Sequence, residues 1–212
     1  MSPGRQRGFS MIEMLIVLAV VIILAGISFI WMWPMLNKAH VDAAYDRTLE
    51  TLRIYRNLAI TQSRNYIVTF APAAGAVPAT MTISWWQGAP PGVARPAPIV
   101  VNTVTLPPDI DFFVQGGIPT AANAVPDGFG AGATAVDLDY TPAGGGGGAT
   151  VVFMPDGSVQ DQAGNSDSGV VYLSRVVADV YSSRAITVWG ATGRVRGWRL
   201  VNQGGVATWV QQ

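Results

Sequence analysis

Residues 5–36 read RQRGFSMIEMLIVLAVVIILAGISFIWMWPML. Two arginines stand ahead of a glycine, and from Met14 to Leu36 there are 23 residues without a formal charge. At 1.5 Å per residue that run makes a helix of about 35 Å, against a hydrocarbon core of about 30 Å. It is long enough to span a bilayer. Arg5 and Arg7 on its N-terminal side predict a cytoplasmic N-terminus and an exported C-terminal body. A cleaved secretory signal fits poorly, because residues 23–28 offer no good A-x-A site and apolar residues continue through Trp33. One carboxylate, Glu13, stands in the oily stretch, where a charge at the centre of a membrane helix costs about 2.5–3.5 kcal/mol. An acid kept there calls for a partner.

Beyond Pro34 the pattern turns amphipathic. Val41, Tyr45, Thr48, Leu52, Tyr55 and Ala59 recur at alternating steps of four and three, with Asp42, Asp46, Glu50, Arg53 and Asn57 on the other side. This spacing predicts a helix that runs on to Ser63–Asn65 and packs its apolar stripe on the C-terminal body. Pro34 lacks an N–H and crowds the carbonyl four residues back, and Gly26 weakens the same region, so a kink or loosening is expected near Ile30.

From Tyr66 the period changes to two. Strands are predicted over 66–70, 81–85, 100–104, 136–140, 150–153, 170–173, 185–189, 194–198 and 206–210. Gly/Pro/Ala-rich stretches at 71–78, 88–98, 116–132 and 144–148 separate them, in keeping with 24 glycines and 14 prolines in 212 residues. No long helical pattern returns. The expected class is α+β: one long helix, transmembrane in its first half and amphipathic in its second, then a mostly antiparallel β domain.

Charged residues make up 12% of the chain, about half the usual share, and 13 basic residues balance 13 acidic ones. That balance points to neither a nucleic-acid nor a strongly acidic partner. With no cysteine, the chain has no disulfide framework, no thiol nucleophile and no thiolate zinc site.

Arg7-Gly8-Phe9-Ser10-Met11-Ile12-Glu13-Met14-Leu15-Ile16-Val17 closely resembles the N-terminal signature of type IV prepilins and type II secretion prepseudopilins. That signature is a short basic leader ending in Gly, then Phe, three mixed residues, Glu and about twenty apolar residues. The resemblance implies that a prepilin peptidase cuts between Gly8 and Phe9 and methylates the new amine of Phe9. It also implies that Glu13 of an incoming subunit meets the Phe9 amine of one already assembled, setting axial register. Pairing of Glu13 with its own amine, one turn away, and full solvation at the headgroup edge are the other readings of the same residue. The implied organisation is a leader at 1–8, a transmembrane and filament-core helix at 9–36, an amphipathic periplasmic helix at 37–65 and a β-rich periplasmic domain at 66–212. The implied partners are the peptidase, other pilins or pseudopilins, an inner-membrane assembly platform and membrane lipid.

Within that group, residues 52–60 followed by 66–70 resemble the helix end and first strand of GspH/FimT minor pilins. Val152-Phe153-Met154-Pro155-Asp156-Gly157-Ser158-Val159 is similar to their F-x-P-x-G hairpin, and residues 186–188 with Gly193-Arg194-Val195-Arg196 to their terminal strand pair. Some FimT-like pilins bind DNA through such a G-R-x-R stretch. Arg194, Arg196 and Arg199, with Trp198 nearby, are therefore the candidate DNA contacts. On a regular strand 194 and 196 share a face and 199 does not, unless a bulge at Gly197 resets the register. The plainer expectation is that these arginines are solvated and pair with Asp137, Asp139 or Asp179.

Nothing in the sequence supports catalysis. His40, the one histidine, is expected to be solvated just outside the membrane. Asp161, Asn165, Asp167 and Ser168 lack the alternation and terminal Glu of an EF-hand loop, so a polar hairpin loop is expected rather than a calcium site. No cofactor or metal is expected.

Overall fold

The computed structural model describes residues 9–87, 96–121, 123–129, 134–138, 148–161, 165–175 and 179–212, and for 30–34 the backbone alone. The chain divides into two units, Met1–Ala39 and His40–Gln212. Helix α1 (Met11–Gln62) contributes to both and is assigned continuously through Gly26 and Pro34.

In the first unit every side chain from Phe9 to Phe29 is exposed. Met11–Phe29, with a mean hydropathy of 2.8, is long and apolar enough to cross a membrane. Such a helix, apolar all round, needs lipid or neighbouring apolar helices as its solvent.

The second unit begins with the amphipathic half of α1. Its stripe is buried as the spacing predicts: Val41, Tyr45, Thr48, Leu52, Tyr55 and Ala59 all lie inside. The helix ends one turn of chain before β1. Ser63, at φ +51°, takes the left-handed position that usually falls to glycine. Its N–H reaches the Ile60 carbonyl while that of Arg64 reaches Ala59, which together form a Schellman cap.

Among the described residues ten strands follow: β1 (Tyr66–Ala71), β2 (Thr80–Trp85), β3 (Ile99–Thr105), β4 (Ile110–Asp111), β5 (Val136–Leu138), β6 (Thr150–Phe153), β7 (Gly169–Arg175), β8 (Arg184–Trp189), β9 (Arg194–Gln203) and β10 (Val206–Gln211). One sheet has the order β3-β2-β1-β6 and the other β10-β9-β8-β7-β4, with β5 also on β7. Every strand pair is antiparallel. The class is α+β, the pilin arrangement of a hydrophobic N-terminal helix and an antiparallel C-terminal body. Residues 139 and 140 of the expected 136–140 strand lie outside the described residues, as do 88–95 and 139–147 of the loops.

The main core joins the helix stripe to both sheets: Val68, Phe70, Met81, Ile83, Val151 and Phe153 from one, Val171, Leu173, Ile186, Val188 and Val195 from the other. A second cluster lies on the far face of the second sheet, where Val170, Tyr172, Ala185, Leu200 and Trp209 meet Ile118, with Phe129 packed against them. The segment between β4 and β5 therefore covers that sheet. This is why β7 is buried at six successive positions instead of alternating.

Candidate functional site

The helix start comes first. The Ser10 carbonyl accepts the N–H groups of Glu13, at 3.0 Å, and of Met14, at 3.2 Å. Ser10 thus stands at the N-cap and Glu13 in the first turn. A carboxylate there faces the unpaired N–H groups and the positive end of the helix dipole, which favours it. This is a local reason for an acid at 13, beside any contact with an amine. Phe9 is 77% exposed and Glu13 is exposed as well, so both are open to a neighbour. Gly8 and the leader lie outside the described residues.

The basic strand comes second. β9 pairs with β8 without a register shift from Arg184↔Arg199 to Trp189↔Arg194, so Gly197 carries no bulge. Arg194 and Arg196 stay on one face and Arg199 falls on the other, directly across from Arg184. Gly197 is there for space: a Cβ would meet the Tyr45 hydroxyl of α1. Arg196 donates through Nη1 to Asp127 Oδ1 at 2.6 Å. Its acid partner is Asp127 and neither Asp137 nor Asp179, while Asp139 lies outside the described residues.

Asp127 was missed by sequence reasoning. Its side chain is 5% exposed and its backbone is left-handed, at φ +53°. Besides Arg196 it accepts Thr187 Oγ1 at 2.5 Å and Trp189 Nε1 at 3.0 Å. One carboxylate so ties the covering segment to β8 and β9. Trp189 is the ring beside the arginines: Arg196 lies 5.6 Å from its centroid and Phe129 packs edge-on at 4.9 Å. Trp198 instead donates its ring N–H to Thr187 Oγ1. Arg194 is exposed.

Arg184 also escaped notice. Buried to 1% exposure, it donates through Nε and Nη2 to Asp42 Oδ1, at 3.1 and 2.6 Å, and through Nη1 to the carbonyls of Tyr181, Ser182 and Ser183. This side chain locks β8 to the helix.

The remaining candidates sit in ordinary roles. His40 Nδ1 is 3.1 Å from Asp109 Oδ1, and Arg175 Nε is 3.2 Å from Oδ2 of the same carboxylate. The Asp161 carboxylate accepts the backbone and side-chain N–H groups of Asn165, as a polar hairpin loop does, and Ser168 Oγ accepts the Gly190 N–H. Among the described residues no three acids or histidines gather closely enough to hold a metal. In the 152–159 hairpin, Asp156 accepts the N–H and the hydroxyl of Ser158, and these bonds hold its carboxyl below the usual range.

Residues 3–29 match the family model of the prokaryotic N-terminal methylation motif. Over this N-terminal segment the chain is similar to type IV pilins. No curated protein and no solved structure matches the chain. The motif marks a structural rather than a catalytic family, and it implies processing by prepilin peptidase and assembly with other pilins. A pilin-like chain with a single apolar N-terminal helix fits a membrane-anchored subunit of a pilus or pseudopilus.

Proposed function

We propose that this pilin-like chain is a minor pilin or pseudopilin of the GspH/FimT kind, acting at the initiation or tip of a type II secretion pseudopilus or a type IV pilus. Prepilin peptidase removes residues 1–8 at the cytoplasmic face of the inner membrane and methylates Phe9. The β body stands in the periplasm, and Glu13 takes the Phe9 amine of the neighbouring subunit during assembly. The register of Gly8, Phe9 and Glu13 ahead of one membrane-length apolar helix carries this reading. The amine and the acid stand one helical turn apart and are both exposed, so each is free for the adjoining chain. Mass spectrometry of the mature N-terminus tests the reading: a chain starting at N-methylated Phe9 is expected, and one retaining residues 1–8 sinks it. Glu13→Gln is expected to leave processing intact and to lower filament incorporation by about tenfold or more, since it deletes one side of a desolvated charge pair.

A second reading, DNA held by Arg194, Arg196 and Arg199, draws support from the exposed Arg194 directly across from the partly exposed Trp189. Arg196 is already committed to Asp127 and Arg199 lies on the opposite face, which among the described residues leaves Arg194 alone of the three for this role. Retention of DNA by Arg194→Gln across a salt series decides this, and unchanged retention removes the reading.

A further inference from the structure

A cleft of about 500 Å³ opens in the body, lined from α1 by Arg53, Arg56 and Asn57 and from the turn between β8 and β9 by Gly193 and Arg194. That volume lies in the range of ligand pockets. Three guanidinium groups border it, and among the described residues none of them stands in an ion pair.

Two turns shape the cleft around Arg56. Gly157 and Gly193 are both left-handed, at φ +85° and +59°, and a Cβ at Gly193 would strike the Gly157 carbonyl oxygen and Arg56 Nε. Arg56 Nε donates to the carbonyls of Gly157 and Thr192, both at 3.2 Å, and its Nη2 to Thr192 at 2.8 Å. Arg53 Nη2 reaches the Val195 carbonyl at 3.5 Å. All these acceptors are neutral. Positive charge is thus fixed in place with no acid to balance it, and the exposed Arg194 adds to it.

The surroundings favour a short anionic peptide over a long polyanion. On the same face of α1, Asp46 stands seven residues before Arg53 and Glu50 seven before Asn57, both exposed. Seven residues are close to two turns, so these acids lie about 10 Å along the axis from the cleft. A nucleic-acid strand needs a basic track for its backbone and would meet carboxylates there. An acidic stretch of a few residues stops short of them. The Asn57 amide also offers an acceptor beside its donors, which a peptide N–H can use and a phosphate cannot.

We propose that the cleft of Arg53, Arg56 and Arg194 is a docking site for a short acidic segment of a different protein, its carboxylates on the guanidinium groups and its main chain on Asn57. This is acidic-motif recognition by an arginine cluster. Because Arg56 is already held by three donated hydrogen bonds, little side-chain freedom is lost when a carboxylate docks on it. The site belongs to the body and depends neither on processing of the N-terminus nor on assembly.

The full-length protein in detergent is titrated into a fluorescein-labelled peptide with three consecutive acidic residues between glycines and serines, and polarisation reads the binding. Saturable binding that weakens with added salt is expected, with none to the same peptide carrying serines in place of the acids. Arg53→Gln combined with Arg194→Gln should weaken it about tenfold. Arg56 is left in place in that variant because it also holds the two turns. Arg47→Gln, equally exposed on α1 but outside the cleft, should leave binding unchanged. No binding of the acidic peptide, equal binding of the serine peptide, or full affinity in the double variant overturns the proposal. So does tighter binding of a labelled single-stranded DNA that the double variant abolishes, which makes the cleft a nucleic-acid site. Self-association lost in the double variant, with no peptide bound, gives the cleft to a second copy and overturns the proposal as well.

Discussion

The two halves of α1 share a backbone and answer to different solvents. From Met14 to Ile27 the side chains are apolar and exposed on every side, Met14 by 64% and Ile23 by 61%. From Val41 to Ala59 only a stripe is apolar, and it is closed off completely at Leu52 and Ala59. Apolar content alone therefore does not tell whether a residue is buried in its own chain. The width of the apolar surface does: a full cylinder needs other molecules around it, while a stripe needs one sheet surface.

The largest expected effect tests that contrast directly. Leu52→Ala should destabilise the body by about 3 kcal/mol, since it opens a cavity between helix and sheets, whereas Leu18→Ala should change it by less than about 0.5 kcal/mol. Urea unfolding of the full chain in detergent, followed by tryptophan fluorescence, reads both; equal shifts in midpoint break the comparison.

Next in size is the charge inside the second half. Asp42→Asn leaves Arg184 buried with only neutral acceptors and should cost about 2 kcal/mol, below the usual range for a buried pair because Asp42 is 41% exposed. Arg184→Met added to Asp42→Asn should recover part of that cost, and strict additivity in the double-mutant cycle rules the coupling out.

The smallest effect is alkaline. Burial pushes the Tyr172 phenol up to about 12 from its ordinary value near 10, with the charge of Asp137 adding to the rise. The unfolded chain then gives up this proton first as the pH rises. The stability tied to the neutral ring is whole below pH 10 and is lost between about 10 and 12, to roughly 3 kcal/mol at most. Tyr172→Phe should flatten the stability curve in that window. An unchanged slope places the titration elsewhere.

Much of this architecture is legible in the sequence. The helix stripe and nine of the ten strands of the described residues are read from local sequence, most of them because burial on one face writes itself into spacing and β7 as a short apolar run. β4 is not, since two residues cannot show a period and Ile110–Asp111 is a strand only through its pairing with β7. The unbroken burial of β7 was hidden for another reason: the cover over its far face comes from a loop with no pattern of its own. At the candidate site, Gly8, Phe9 and Glu13 are read from adjacency. Arg196 was read as free to choose among three aspartates, yet its partner is a fourth, Asp127, held in a left-handed turn.

The sequence by itself determined the membrane-length helix, the methylation motif, the amphipathic continuation and the β body, because length, period and short motifs are local properties of a chain. Only the tertiary structure decided which charges remain available. Arg196 is taken by an acid 69 residues away and Arg184 by one 142 residues away, while among the described residues Arg53 and Arg56 meet carbonyls. Such pairings depend on distances set by sheet register and by how α1 lies on the strands, and no spacing along the chain records them.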